Sequence, residues 1–227
     1  MSLVNSDCLV ATVDTVNDAF FYNREIHPAE RLEVARYIAN HQGLPGSYAD
    51  MFAPTTRPLY VFTGEAITSG AACSHILGEE CCRALLMLDV PDDAVRQALA
   101  HANAGISARV IEAEMRYYHE GPAQAYCCGK CSCAFWRHLA AGGIGRTEER
   151  LLAGMTRLCT LRLGDGQWRT FAWWYTLLAL SDIDVTGSLA ELRYAAPLVE
   201  RKYKRINGAE PYASRRRALA ERVLAKV

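Results

Sequence analysis

Four cysteines stand within seven positions in the segment YCCGKCSCAFW, residues 126–136. Cys128 and Cys131 have the CxxC spacing that is common to zinc sites and to thiol redox chemistry, and Cys127 and Cys133 flank them. If a helix begins close to Cys131, its dipole lowers the pKa of Cys131 and Cys133. Cysteine is also among the most buried residue types and packs as a small apolar side chain. The segment is therefore a candidate metal site, a candidate redox site or a part of the core.

A second group of reactive side chains lies in the segment HILGEECC, residues 75–82. His75, Glu79 and Cys82 follow the spacing i, i+4, i+7, which places an imidazole, a carboxylate and a thiol on one stripe of a helix. These groups suit a metal ion or an acid/base pair. The alternative is a local hydrogen bond between His75 and Glu79 on a helix surface.

We expect the stripe with His75 and Glu79 to approach residues 127–133 in space, because one CxxC pair supplies only half of a four-ligand metal site. The predicted ion is zinc, and the predicted metal ligands are Cys128, Cys131, His75 and Glu79. The other cysteines fit a role as small core residues, namely Cys8, Cys73, Cys81 and Cys159.

Helical signals occur along most of the chain, so helices must position these groups. Pro28 suits a first helical position, and Gly43 suits the end of that helix. Thr63 suits the cap of a helix that continues to Leu88, and Pro197 should kink or split a later helix. Alternating β-branched runs with hairpin turns are not found, so we predict an all-α fold of antiparallel helical hairpins in a single domain, residues 1–227. The predicted helices cover 28–42, 64–88, 92–104, 106–120, 130–141, 146–163, 171–181, 187–205 and 211–226.

Composition narrows the classes of function. The chain has 227 residues, and its 25 basic and 25 acidic side chains cancel, so no net charge favours binding to nucleic acid or to an anionic membrane. Apolar stretches of bilayer-spanning length are not found, and because the first residues carry Asp7 and Asp14 and no basic side chain, we do not expect a signal peptide. A cytoplasmic location is therefore expected, and there the nine cysteines stay reduced.

Residues 148–183 read EERLLAGMTRLCTLRLGDGQWRTFAWWYTLLALSDI. An amphipathic stretch precedes a Gly-Asp-Gly turn, Trp168 follows the turn, and an apolar stretch comes next. This order resembles one repeat of the α/α toroid of terpenoid cyclases and protein prenyltransferases. The resemblance implies a pair of antiparallel helices with Trp168 buried at its end. The matching residues are Asp165, Gly166, Trp168, Tyr175, Thr176, Leu177 and Leu180.

Two functions from different classes follow from these observations. The first, which we favour from the sequence, is a binding module whose aromatic wall holds an apolar small molecule or a helix of a partner protein. The second is a metal- or thiol-dependent enzyme, prenyltransferase- or cyclase-like by the resemblance, that uses residues 127–133 with His75 and Glu79. Stoichiometric zinc in the purified protein would separate them. The predicted ligand-binding residues of the first function are Trp136, Trp173, Trp174 and Tyr175.

Overall fold

The computed structural model describes residues 3–119 and 121–227, and within these ranges the chain forms nine α-helices. Two short strands, β1 (Leu59–Tyr60) and β2 (Ala66–Ile67), pair as an antiparallel hairpin. The prediction of an all-α fold is confirmed. The helices are α1 (Leu9–Phe21), α2 (Pro28–Ala39), α3 (Gly70–Leu88), α4 (Asp93–Tyr117), α5 (Gly129–Ala140), α6 (Thr147–Cys159), α7 (Trp173–Asp182), α8 (Ser188–Tyr203) and α9 (Ala213–Lys226).

Helix α3 lies at the centre of the packing. It contacts α1, α2, α4 and α5, and most of its side chains are buried. Helix α5 contacts α3 on one side and α6 and α7 on others. Because α3 and α5 have neighbours on several sides, their polar side chains must find partners inside the protein. Of the two groups of reactive residues predicted from the sequence, His75 and Glu79 lie on α3, and residues 127–133 lie at the start of α5.

A largely buried ionic network joins α3, α5 and α7. Glu80 accepts hydrogen bonds from the Arg137 guanidinium and from the Tyr175 hydroxyl, the latter at 2.6 Å. Asp182 accepts hydrogen bonds from Arg137 Nε at 2.9 Å and from Arg83 at 3.2 Å. Removing one partner from a buried pair leaves an uncompensated charge and costs about 3–5 kcal/mol. The network therefore holds α5 against α3, and with it the segment that carries the cysteines.

Two predicted helix boundaries are wrong because tertiary contacts use those residues differently. The helix predicted to follow Thr63 begins only at Gly70, since residues 59–67 form the β-hairpin. The two helices predicted on either side of Gly105 are one continuous helix, α4. A Cβ atom at Gly105 would lie 2.0 Å from the carbonyl oxygen of Ala49, so this glycine permits a close backbone contact instead of ending a helix.

Helix α1 has no counterpart among the predicted helices. Cys8 precedes it, and the Cys8 sulfur accepts a hydrogen bond from the Ala11 N–H at 3.4 Å. The predicted start of α2 at Pro28 is confirmed, but α2 ends before Gly43. Pro197 lies inside α8 and does not split it. Across residues 3–119 and 121–227, none of the helices has both the length and the apolar character needed to cross a bilayer.

Candidate functional site

Three of the four clustered cysteines meet at the start of α5. The Sγ atoms of Cys127, Cys128 and Cys131 all lie within 4.8 Å of one another. Cys127 and Cys128 are exposed, whereas Cys131 is buried. Since α5 begins at Gly129, Cys128 is its N-cap residue and Cys131 lies in its first turn. A thiol that solvent reaches therefore lies beside a thiol that solvent does not reach.

The Cys128 thiol is strongly acidic in this position. A hydrogen bond from the Cys131 thiol is the main cause, and it lowers the pKa of Cys128 to about 5. Partial burial opposes this effect, while the backbone N–H groups of Cys131 and Lys130 and the charge of His75 add to it. Amides at the first turn of a helix and nearby cations stabilise a thiolate in the same way in other proteins. Cys128 is therefore ionised at neutral pH.

The other three sulfur atoms near the helix start have the opposite tendency. Burial raises the pKa of Cys127. The hydrogen bond to Cys128 and burial raise the pKa of Cys131. Cys133 is fully buried, its Sγ atom lies 3.5 Å from Thr176 Oγ1, and burial raises its pKa to about 12. The prediction that the helix start lowers the pKa of Cys131 and Cys133 is wrong, because the effect falls on the N-cap residue, which precedes both.

A buried carboxylate links two imidazoles across the α3–α5 interface. Glu79 Oε1 lies 3.0 Å from His75 Nε2, and Glu79 Oε2 lies 2.5 Å from His138 Nδ1. Since all three side chains are buried, the interpretation of His75 and Glu79 as a surface pair is wrong. Burial disfavours the ionised carboxylate, but the hydrogen bonds and charges of His138 and then His75 lower the pKa of Glu79 to about 2. The Glu79 carboxylate therefore holds both rings in place.

Aromatic rings and a cleft adjoin His75. The ring centroids of Tyr48 and Tyr126 lie 4.9 Å and 4.5 Å from that of His75, and the two tyrosine hydroxyls are 2.5 Å apart. Burial raises the pKa of Tyr126. Both tyrosines line a cleft of about 420 Å³, to which α4 contributes Arg109 and Arg116. Tyr126 directly precedes Cys127 in the chain, but the described residues that line the cleft do not include a cysteine.

The four predicted metal ligands lie in one region but not in one cluster. His75 and Glu79 share a face of α3, as predicted. The His75 ring lies 4.5 Å from that of Tyr126, the residue before the cysteines, while the approach of His75 and Glu79 to residues 127–133 stays a prediction. Within the part of the chain that the structure describes, the sulfur cluster contains Cys128 and Cys131 and adds Cys127, but not His75 or Glu79. Both Glu79 oxygens already accept from imidazoles. Zinc binding by the predicted set of four stays a prediction.

The four predicted ligand-binding aromatic residues occupy different places. Trp136 is fully buried and stacks on Phe171, with 5.6 Å between the ring centroids. Tyr175 is fully buried as well. Trp173 and Trp174 are partly buried and meet edge to face, with 4.6 Å between their centroids. Binding of an apolar molecule or a partner helix by these rings stays a prediction.

The predicted burial of Trp168 is confirmed, since only 3% of the residue is exposed. Its Nε1 donates a hydrogen bond to Glu191 at 2.8 Å, and its ring packs edge to face on Tyr194. Both partners belong to α8, so the turn between α6 and α7 is packed on the next helix along the chain. The turn itself is held by Asp165, whose carboxylate accepts from the Gln167 N–H at 3.0 Å.

Sequence reasoning missed part of the site. One signal in the sequence could have indicated His138. It follows Cys131 by seven positions, and this spacing places both residues on one side of a helix. Cys127 has φ +55°, a left-handed conformation that the sequence does not announce. Of the cysteines predicted to be small core residues, Cys73 and Cys81 are buried, but Cys8 is half-buried and Cys159 is exposed.

Comparison with known proteins adds no family to this description, since no family model, curated protein or solved structure matches the chain. The similarity of residues 148–183 to a toroid repeat therefore stays a prediction. The function must be argued from the site.

Proposed function

We propose that the protein is a thiol-dependent enzyme that reduces disulfides, with Cys128 as the attacking thiol and Cys131 as the resolving thiol. The observation that carries this proposal is the contrast between the two residues. Cys128 is exposed at the start of α5 and has a pKa of about 5, whereas Cys131 is buried beside it and stays protonated. The thiolate is the nucleophile in thiol–disulfide exchange. An accessible thiolate next to a protected thiol matches what this reaction needs.

The reaction takes place in two steps. The Cys128 thiolate attacks one sulfur of a substrate disulfide, the substrate S–S bond breaks, and the other substrate sulfur leaves as a thiolate that takes a proton from water. The Cys131 thiol then attacks the Cys128 sulfur of the mixed disulfide, and its proton passes to the substrate sulfur that leaves. The substrate gains two electrons and becomes two thiols, while the enzyme forms a Cys128–Cys131 disulfide. A low-molecular-weight thiol or a protein dithiol would restore the reduced enzyme.

The groups around the thiols support these steps. His75 contributes to the low pKa of Cys128, and Glu79 holds the His75 ring through a charged hydrogen bond. The cleft lined by Tyr126, of about 420 Å³, would receive the group that carries the disulfide. Of the charged side chains in its lining, Arg109 pairs with Glu112 at 3.1 Å, so the positive charge of Arg116 favours a substrate with an acidic group.

Single-turnover reduction of a small chromogenic disulfide by the reduced protein tests the proposal. We expect Cys128→Ser to abolish the reaction. Cys131→Ser should still attack but should accumulate the mixed disulfide, which mass spectrometry detects as an adduct on Cys128. Cys159→Ser is the matched control, because Cys159 is exposed but lies at the end of α6. A Cys128→Ser protein that reduces the disulfide as fast as wild type would overturn the proposal.

A second candidate is the predicted binding module for an apolar small molecule or a partner helix. The partial burial of Trp173 and Trp174 favours it, because paired indole rings at a surface are common in binding sites. Titration with an apolar fluorescent dye tests this function. Trp174→Ala should lose binding that wild type has, and a wild-type protein that binds no dye would reject it for small molecules.

A further inference from the structure

Cys127 has no part in the proposed dithiol reaction, yet its sulfur belongs to the same cluster. Its Sγ atom lies within 4.8 Å of both Cys128 Sγ and Cys131 Sγ. The left-handed backbone at Cys127, with φ +55°, lets two consecutive side chains join one cluster. For a residue with a side chain this conformation is uncommon. The structure therefore has three converging sulfur atoms where disulfide exchange needs two.

The spacing of the three sulfur atoms is close to that of a metal site. Zinc–sulfur bonds are about 2.3 Å long, so two sulfur ligands of a tetrahedral zinc ion are about 3.8 Å apart. The upper limit of 4.8 Å between the three sulfur atoms exceeds this by about 1 Å. Two of the three thiols are exposed, and rotation of exposed side chains can close such a gap.

The chemistry of the cluster restricts the ion. Its ligand atoms are all sulfur, and soft thiolate ligands select ions such as Zn²⁺ and Cu⁺ over Mg²⁺ or Ca²⁺. The start of α5 offsets part of the negative charge of the thiolates. With two ligands exposed, a fourth coordination position faces solvent, as it does in zinc sites that have three protein ligands.

We propose that the reduced protein binds one Zn²⁺ ion through the sulfur atoms of Cys127, Cys128 and Cys131. Glu79 is not a ligand in this arrangement, because its two oxygens hold His75 and His138. The same sulfur atoms of Cys128 and Cys131 cannot hold the ion and form a disulfide at once. Oxidation of this pair therefore releases the ion, a consequence that rests on the proposed function, whereas the metal site itself does not.

Titration of the reduced full-length protein with Zn²⁺ against a chromogenic zinc chelator tests the site, and Co²⁺ provides a spectrum with sulfur-to-cobalt charge-transfer bands. We expect one ion per chain. Cys127→Gly removes the third sulfur and suits the backbone at φ +55°, so this variant should fold. Loss of a residue that only hydrogen-bonds to a metal ligand lowers metal affinity by about 10- to 100-fold. Loss of the ligand itself should therefore lower the Zn²⁺ affinity by about 100-fold or more.

The controls separate this proposal from the proposed function. Cys159→Ser should bind Zn²⁺ as wild type does, and Cys127→Gly should still reduce disulfides in metal-free buffer. Wild-type protein that binds no Zn²⁺, or a Cys127→Gly variant that binds it as tightly as wild type, would overturn the three-sulfur site. Zinc binding by a wild-type protein that reduces no disulfide would overturn the proposed function and leave the metal site standing.

Discussion

Two pairs of adjacent cysteines in this chain have opposite environments. Cys81 and Cys82 lie inside α3 and are fully buried, and burial raises the pKa of both thiols. Cys127 and Cys128 directly precede α5 and are exposed, and the pKa of Cys128 is lowered to about 5. Burial raises the pKa of Cys127, so Cys128 is the one thiol of the four whose pKa is lowered. The residue type is the same throughout, and the environment alone sets Cys128 apart.

The hydrogen bond from the Cys131 thiol is the main cause of the low pKa of Cys128, whereas burial is the main cause of the raised pKa of Cys81 and Cys82, and position on the helix adds to the difference. Backbone N–H groups inside α3 are paired within the helix, whereas those at the first turn of α5 have no partner within their own helix and can stabilise a thiolate. Carboxylates have the reverse effect, and the charges of Glu80 and Glu79 raise the pKa of Cys81 and Cys82, respectively. In this protein, the adjacent cysteines that include an acidic thiol are the pair that lies at a helix start and is exposed to solvent.

The largest expected difference between the pairs is in reactivity. In metal-free protein treated with limiting iodoacetamide, Cys128 should be labelled on the order of a thousandfold faster than Cys81 or Cys82, because a buried thiol reacts only after the structure opens. The rate at Cys128 should rise with pH and reach half its maximum near pH 5. Peptide mass spectrometry measures each site. Equal labelling of the two pairs would contradict the comparison.

The next prediction concerns Glu79, which lies in α3 with the buried pair and whose charge raises the pKa of Cys82. Glu79→Gln removes the charge that holds His75 and His138. We expect a loss of about 3 kcal/mol or more in the free energy of unfolding, since each hydrogen bond to a charged group contributes about 1.5–3 kcal/mol. Urea denaturation followed by circular dichroism measures it. Glu149→Gln is the control, because Glu149 pairs with Arg146 at the surface and its loss should leave the midpoint unchanged.

A smaller difference is expected when serine replaces one cysteine of each pair. Cys81→Ser places a hydroxyl in a buried apolar site, and this should cost about 1–3 kcal/mol of stability. Cys127→Ser changes an exposed side chain and should alter stability by no more than about 0.5 kcal/mol in metal-free buffer. Thermal melts of the two variants compare the costs. If Cys127→Ser destabilised the protein as much as Cys81→Ser, the exposed pair would have a structural role.

The smallest expected effect is on the pH dependence of stability. It involves Asp182, which is hydrogen-bonded to Arg83, the residue that follows the buried pair. Burial opposes ionisation of Asp182, but Arg83 and then Arg137 lower its pKa below the ordinary value of about 3.9. The folded state therefore gains stability from ionised Asp182 above the unfolded pKa and loses it as the pH falls through the lower, folded value. Wild type should lose stability below about pH 4. Asp182→Asn should be less stable than wild type at neutral pH, because Arg83 and Arg137 lose a charged partner, but its stability should depend less on pH. Urea unfolding midpoints of both proteins, determined at intervals of about one pH unit between pH 3 and pH 7, test this difference.

Most helices could be predicted because their signals are local. Pro28 marks the start of α2, and the predicted start near residue 130 differs from that of α5 by one position. The exceptions depend on distant partners. Gly105 continues a helix because the Ala49 carbonyl packs against it, and the helix predicted after Thr63 is shortened by a hairpin.

The candidate site shows the same division. The i, i+4 spacing of His75 and Glu79 predicts their shared face, and the structure confirms it. Their third member, His138, lies 59 positions from Glu79 and has no local signal that connects it to that carboxylate. Cys133 lies near Thr176 of α7 and is not part of the cluster of Cys127, Cys128 and Cys131, and its partner on α7 is 43 positions away in the chain.

By itself, the sequence determined that the chain is helical, that a CxxC pair stands at the beginning of one helix, and that His75 and Glu79 share a face of another. Only the tertiary structure decided which thiol of the cluster has the low pKa and that Glu79 bridges His75 and His138. The reason is physical. Helix formation depends on neighbours within about four positions, whereas a pKa and a cluster depend on burial and on charges that folding brings from distant parts of the chain.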